Sequence, residues 1–144
     1  MNDDASSRVC DDDRAPQSRR PVVVHGLNLA CCAVESEQGI RTWRPNGEQN
    51  ELLDPLNVLV VAGTVARVNA DRVKQEFDAL PSPRAVVAFG ACTISGGPYW
   101  DSYAVLPGIG ELIPVDRFIA GCPPRPEDLQ VVLDELAMSD VEHA

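Results

Sequence analysis

The sequence predicts a small open α/β sheet with mainly parallel strands and flanking helices. Two almost continuous apolar runs, at 56–62 and 84–89, have the composition of central strands that are covered on both faces. A segment at 70–80 lies between them, and its apolar residues recur at i, i+4 and i+7, as on one face of a helix. This alternation of strand and helix is typical of a parallel sheet.

The first part of the chain predicts an arm, a strand and a loop. Residues 1–20 are charged and lack an apolar pattern, which predicts a flexible arm. The β-branched run from Pro21 to Val24 predicts the first strand, which leads through Gly26 to two adjacent cysteines. The polar segment 36–54 contains Pro-Asn-Gly and predicts a loop or a hairpin.

The sequence contains signals for both the start and the end of the helix at 70–80. Asn69 stands at its N-cap position, where its side chain is expected to cap the helix, and the Pro-Ser-Pro at 81–83 ends it.

The second half of the chain predicts a loop, a last strand and a last helix. Residues 93–111 are rich in Gly, Pro and aromatic residues and predict a long loop, whereas 112–120 predicts a strand. Pro126 and the two acidic residues after it are favourable at a helix start. These elements define one domain at 21–138, followed by a tail at 139–144.

Composition narrows the class of protein. The chain has 144 residues, a net charge of −10 and no apolar stretch long enough to span a bilayer. The acidity argues against a nucleic-acid surface. The start of the chain shows no secretory signal, so a cytoplasmic protein is expected. The acidic residues indicate solvated faces and tails, or docking onto a basic partner subunit.

The chain has five cysteines, and without a signal peptide they indicate metal binding or catalysis rather than disulfides. Cys10 lies in the acidic N-terminal stretch and is interpreted as a spare thiol. Cys31 and Cys32 are adjacent, and their Cα atoms, about 3.8 Å apart, are closer than the usual disulfide range of roughly 4.4–6.8 Å. With Cys92 and Cys122 they follow the carboxyl ends of predicted strands, where open α/β sheets bind ligands.

Four thiolates at one sheet edge are a ligand set for a [4Fe–4S] cluster or for zinc, and the residues alone leave both metals open. Small residues beside the cysteines are expected to let the backbone approach the sulfur atoms closely. They are Gly90, Ala91, Gly96, Gly97 and Gly121.

Four long motifs carry a resemblance to a known family. They are GLNLACCAVE at 26–35, NVLVVAGTV at 57–65, GACTISGGPYWDSYAVLPGI at 90–109 and PVDRFIAGCPPRPEDL at 114–129. Together they resemble the B subunit of bacterial NADH–quinone oxidoreductase, the counterpart of the PSST (20 kDa) subunit of respiratory complex I. The small subunits of [NiFe] hydrogenases are more distant relatives.

The resemblance implies a flavodoxin-like fold and one [4Fe–4S] cluster with Cys31, Cys32, Cys92 and Cys122 as ligands. It implies an electron-transfer subunit, not catalytic alone, that passes electrons to a terminal acceptor such as quinone. The implied partners are a large subunit related to the complex I 49 kDa subunit and the hydrogenase large chain, together with other iron–sulfur subunits. Membrane contact through the complex, on the inner face of the cell membrane, is also implied.

Two of the departures from the family lie just before and just after the cysteine pair. Asn28 stands where the family usually has Gly, and it is expected to tolerate a turn at positive φ. The segment after the cysteine pair also lacks the family's quinone-side pattern. A small subunit of a membrane-bound group 4-type [NiFe] hydrogenase-like complex, a standalone redox or cluster-sensing module and a structural zinc protein are therefore alternatives.

A few other residues have two interpretations each. Glu35 is either a proton relay toward the metal site or a carboxylate at a helix start. Tyr99 and Trp100 are expected to pack on a partner or to shield the cluster. His25 either titrates near the cluster or is a loop histidine with a satisfied hydrogen bond. Asp116, in the last strand, or its neighbour Arg117 is expected to pair with another group.

Overall fold

A computed structural model of the chain describes residues 19–139. Its four strands form one parallel sheet in the order β1-β2-β3-β4. The strands are β1 (Val22–Asn28), β2 (Leu56–Ala62), β3 (Arg84–Phe89) and β4 (Arg117–Ile119). The helices are α1 (Ala33–Thr42), α2 (Ala70–Ala79), α3 (Ala91–Ser95) and α4 (Pro126–Met138). The predicted α/β class with a parallel sheet and flanking helices is confirmed.

The sheet is covered on both faces because β2 directs alternate side chains into two apolar clusters. Leu59 and Val61 pack with Val73 and Phe77 of α2 on one face. Val58 and Val60 pack on the other face with Leu129, Leu133 and Leu136 of α4. All seven residues of β2, including Asn57, are buried, as its almost continuous apolar sequence predicts.

The prediction of a loop or hairpin over 36–54 is wrong for its first part, because α1 extends to Thr42. The buried residues of α1 are Ser36 and Gly39, which are small, so the helix lacks an apolar stripe. A Cβ atom on Gly39 would lie 3.0 Å from the carbonyl oxygen of Pro126 and 3.1 Å from Leu129. Close packing of α1 on α4 thus replaces the hydrophobic pattern that sequence analysis uses to find a helix.

The predicted loop 93–111 also contains regular structure. It includes most of α3 and two 3₁₀ turns, Gly97–Tyr99 and Ile109–Glu111. The predicted strand 112–120 is reduced to β4. The Asp116 carboxylate accepts a hydrogen bond from the Val86 amide at 2.7 Å, and the sheet pairing of β4 with β3 begins only at Arg117.

The helix ends agree with the sequence only in part. Pro126 occupies the first turn of α4, with two acidic residues beside it, as predicted. Asn69 is at the N-cap position of α2, but its side chain makes no capping hydrogen bond. Its backbone has φ −97° and ψ 0° because a 3₁₀ turn leads directly into the helix.

Three predictions lie outside the described residues: most of the arm at 1–20, the thiol of Cys10 and nearly all of the tail at 139–144. Within residues 19–139, no helix combines the length and the apolar character needed to cross a membrane.

Candidate functional site

The first loop at the carboxyl edge of the sheet carries Cys31 and Cys32 between β1 and α1. The amide of Leu29 donates a hydrogen bond to the carbonyl of Ala62, the last residue of β2, at 2.8 Å. The amide of Ser36 donates to the Cys32 carbonyl at 3.1 Å, so Cys32 stands at the N-cap position of α1. These bonds attach the turn that carries the cysteine pair to the end of β2 and to the start of α1.

The segments that carry the other two cysteines, the start of α3 with Cys92 and the loop after β4 with Cys122, are joined to each other by backbone hydrogen bonds. The Gly90 amide donates to the carbonyl of Ile119 at 2.8 Å, and the Ala91 amide donates to the carbonyl of Gly121 at 2.9 Å. Since Cys92 and Cys122 directly follow Ala91 and Gly121, their backbones are held side by side. The predicted meeting of three loops at one edge is thereby observed.

A buried threonine connects the Cys92 loop to the end of β2. Thr93 is fully buried, and its hydroxyl lies 2.9 Å from the carbonyl oxygen of Gly63 and 3.1 Å from that of Phe89. The hydroxyl has one proton, which it donates between these two acceptors. The sequence analysis did not single out this residue.

Two glycines make room for the two buried sulfur atoms. A Cβ atom on Gly90, whose φ is +99°, would lie 2.8 Å from Cys32 Sγ. A Cβ atom on Gly97, whose φ is +54°, would lie 2.9 Å from Cys92 Sγ. Both distances are too short for any other residue without displacement of the sulfur, so the predicted close approach is observed at these two positions.

Gly63 has a similar role that the sequence analysis missed. Its φ is +101°, and a Cβ atom there would lie 2.5 Å from the amide nitrogen of Ala30, just before the cysteine pair. A glycine directly after a buried strand was the available indication.

The four thiols differ in exposure. Cys32 and Cys92 are 1% and 2% exposed, whereas Cys31 and Cys122 are exposed, and all four are free. The pKa of the Cys32 thiol is raised to about 12, first by burial, then by the charge and hydrogen bond of Cys31, and then by the charges of Cys92 and Cys122. All three other cysteines therefore lie within electrostatic reach of Cys32.

The site has the four thiol donors of an all-thiolate metal centre, but the thiols are not already arranged around a common point. Among residues 19–139, no three His, Cys, Asp or Glu side chains are gathered closely enough to hold a metal ion. The backbone brings the four cysteines to one edge, and the glycines leave clearance at both buried sulfurs. These residues fit a cluster, provided that the cysteine side chains rotate toward a common centre.

The remaining candidates take different places. Glu35 lies in the first turn of α1, and its Oε2 atom is buried without a hydrogen-bond partner among the described residues. Tyr99 and Trp100, in and just after the 3₁₀ turn that follows α3, are 54% and 70% exposed. Asp116 lies just before β4, and its carboxylate accepts a hydrogen bond from the Val86 amide, so this charged group has a partner, as expected.

Two expectations about residues in β1 are corrected, the first only in part. His25 has the expected hydrogen bond, with its Nε2 atom 3.3 Å from the Asn57 side-chain oxygen near the amino end of β2, but it lies within the strand rather than in a loop. Asn28 is the last residue of β1, and no non-glycine residue between 19 and 139 has positive φ. Asn28 is thus extended and makes no left-handed turn.

Comparison with known proteins identifies the family to which this chain is similar. Residues 27–136 match the family model described as NADH ubiquinone oxidoreductase, 20 Kd subunit. The chain is 41% identical over 117 residues to the first of the NADH-quinone oxidoreductase B subunits of Salinispora tropica, covering 74% of this chain and 59% of the relative. It is 40% identical over 117 residues to the second of the B subunits of Streptomyces griseus, covering 74% of this chain and 47% of the relative. The chain thus spans roughly half the length of these relatives.

Solved structures agree on the fold. A chain of the membrane-bound sulfane sulfur reductase, an archaeal respiratory membrane complex, is 26% identical with a TM-score of 0.58, covering 84% of this chain and 70% of that chain. A chain of an NAD⁺-reducing [NiFe]-hydrogenase is 19% identical with a TM-score of 0.53, covering 88% of this chain and 96% of that chain. At this identity the likeness supports the fold alone. The family match over most of the chain and the relatives near 40% identity show that this chain belongs to the NADH ubiquinone oxidoreductase 20 Kd subunit family.

Proposed function

We propose that this chain is an electron-transfer subunit that carries one [4Fe–4S] cluster on Cys31, Cys32, Cys92 and Cys122 in a complex I-like oxidoreductase assembly. The observation that carries the proposal is the meeting of three cysteine loops at one sheet edge, with both buried sulfurs against glycine backbone. When bound, such a cluster supplies one-electron transfer at a potential set by hydrogen bonding to sulfur and by exposure.

The site has one side that is buried in the protein and one side, the open side, that is exposed to solvent. Burial of Cys32 and Cys92 excludes water from the inner side, and the hydrogen bonds around Thr93 and Ala91 fix the loops that carry the ligands. Burial raises the pKa of the Cys32 thiol, so its thiolate would need the stabilisation that a bound metal centre supplies.

The open side is where a partner subunit would cover the site. Cys31 and Cys122 are exposed there, and Tyr99 and Trp100 follow the Cys92 helix. Aromatic residues are enriched at interface cores. A large subunit related to the complex I 49 kDa subunit or to the hydrogenase large chain fits this position. Association with the inner face of the membrane would come through that complex, with a terminal acceptor such as quinone.

A hydrogenase-like complex is the second candidate, because the segment after the cysteine pair lacks the quinone-side pattern of the family. The native assembly, purified anaerobically, separates the two. Quinone-dependent oxidation of NADH without nickel supports the first function, whereas nickel in the large partner supports the second. A chain that is stable with its cluster and without a large partner indicates a standalone module, and a zinc-loaded chain without iron excludes the electron-transfer role.

Glu35 is the residue that we assign to proton transfer at this site. Its buried, unpartnered Oε2 atom lies one helical turn from Cys32, where a carboxylate could take up a proton as the site gains an electron. Redox titration at several pH values tests this role. We expect the midpoint potential to fall with pH by up to about 59 mV per unit in the parent protein. We expect a flat profile in Glu35→Gln, and a pH dependence that is the same in both proteins would contradict the assignment.

A further inference from the structure

Two side chains meet across the base of the cysteine turn, residues 29–32. Asn28 is the last residue of β1, and Ser36 is fully buried in α1. The Ser36 hydroxyl donates to Asn28 Oδ1 at 2.8 Å, and it also lies 3.0 Å from the carbonyl oxygen of Ala33. This contact closes a ring of side chains and backbone around the turn.

The rest of the turn is held by only a few bonds. Leu29 is hydrogen-bonded to Ala62, and the Ala33 amide donates to the Ala30 carbonyl at 2.9 Å. Between these bonds the chain carries one exposed thiol, Cys31, and one buried thiol, Cys32. The Asn28–Ser36 contact is thus the side-chain link that fixes the start of α1 relative to the end of β1.

We propose that Asn28 and Ser36 are positioning residues that form a latch, which keeps the cysteine turn closed and the Cys32 thiol buried. A turn that opens less often is expected to release its metal centre more slowly. This consequence for function rests on the cluster site proposed above. The latch itself acts on the polypeptide, so it can be measured without metal.

The first experiment measures alkylation of the metal-free, reduced full-length chain by iodoacetamide, with each cysteine followed by peptide mass spectrometry. The Cys32 rate is divided by the Cys31 rate in the same protein, which removes effects that act equally on both thiols. In Ser36→Ala and in Asn28→Gly we expect this ratio to rise about fivefold, the effect of losing one ordinary hydrogen bond. The Cys92 rate, from a different loop, should not change.

Three further variants make the test specific. Asn28→Asp keeps an acceptor for the Ser36 hydroxyl and should restore the parent ratio. The double variant Ser36→Ala with Asn28→Gly should not exceed the single variants, because both remove the same bond. Ser139→Ala, which removes an exposed serine hydroxyl at the end of α4, is the matched control and should have no effect. An unchanged ratio in the two single variants, or effects that multiply in the double variant, would overturn the latch.

The second experiment measures release of iron to a chelator from the anaerobically loaded chain. We expect release about fivefold faster in Ser36→Ala and Asn28→Gly, with the parent rate in Asn28→Asp. Faster alkylation without faster iron release would overturn the role in retention. If the parent chain holds no iron, the proposed function fails, while the alkylation ratios still decide whether the latch exists.

Discussion

The amide of Ala91 donates a hydrogen bond to the carbonyl of Gly121 at 2.9 Å, and this bond joins the residues that directly precede Cys92 and Cys122. The two cysteines are thirty positions apart in the chain, yet their order on the sheet edge is fixed by backbone. Backbone hydrogen bonding therefore contributes to the architecture of this edge, and the parts of the edge can be tested one at a time.

Gly90→Ala tests the clearance for the Cys32 sulfur. The added Cβ atom would meet Cys32 Sγ at 2.8 Å, at a φ of +99° that alanine adopts poorly. We expect a destabilisation of about 1–3 kcal/mol in urea unfolding, with most of the bound iron lost. Gly110→Ala is the control, because nothing lies within 4 Å of its Cβ position. Equal iron content in the two variants would contradict the role of Gly90.

Thr93→Val tests the connection between the Cys92 loop and β2. The substitution keeps the shape and removes the buried hydroxyl, which donates to the carbonyls of Gly63 and Phe89. We expect a loss of about 1–2 kcal/mol in the free energy of unfolding. Thr42→Val, at an exposed position at the end of α1, should cost much less. If both variants unfold at the same urea concentration, the buried hydroxyl does not hold the loop.

Asn57→Ala separates stability from function. The buried amide of Asn57 donates to the carbonyls of three prolines, at 3.3, 3.2 and 3.4 Å, near the amino end of β2. We expect a destabilisation of about 2 kcal/mol, because these carbonyls lose a donor, with no change in the iron content of the folded protein. Asn46→Ala, whose exposed amide donates to Asp134, is the control. Loss of iron in Asn57→Ala at temperatures where it remains folded would contradict this separation.

Asp128→Asn is expected to lower the thermal stability of the protein by an amount that depends on pH. The hydrogen bonds from the Arg125 side chain and backbone hold the pKa of the Asp128 carboxyl below its usual range. A carboxyl whose pKa is lower in the folded state stabilises the fold above its unfolded-state pKa and loses that contribution as pH falls through the folded-state pKa. We expect the thermal midpoint at pH 7 to drop by about 1–3 °C, since the pair is exposed.

The difference between Asp128→Asn and the parent should shrink as the pH is lowered from about 5 to 3. Glu127→Gln removes the same charge from the same helical turn and serves as the control. A difference for Asp128→Asn that stays constant over this range would show that the Arg125 contact is not its cause.

The centre of the sheet was predictable because β2 and β3 are almost entirely apolar. The predicted bounds of β2 and β3 agree with the structure, since strands covered on both faces leave a continuous hydrophobic run. Helix α1 was not predictable from hydrophobic periodicity, because its buried face consists of Ser36 and Gly39. Strand β4 was predicted too long because the side chain of Asp116 takes the hydrogen bond that a longer ladder would use.

The candidate site was predictable as a set of cysteines but not as a packed structure. Motif spacing and the ends of the strands indicated where Cys31, Cys32, Cys92 and Cys122 would meet. The contacts that hold their loops come from Thr93, Gly63 and the Asn28–Ser36 pair, which have no distinctive pattern. Such contacts depend on distances between segments far apart in the chain, and these distances appear only in the folded protein.

The most direct measurement of the central claim is iron and sulfide per chain, with electron paramagnetic resonance of the reduced protein, after anaerobic purification of three proteins: the parent, Cys92→Ser and Cys10→Ser. We predict about four iron atoms per chain and a cluster spectrum in the parent and in Cys10→Ser. Cys92→Ser should lose the iron or change the spectrum. A parent chain without iron, or a Cys92→Ser chain with the parent's iron content and spectrum, would contradict the cluster assignment.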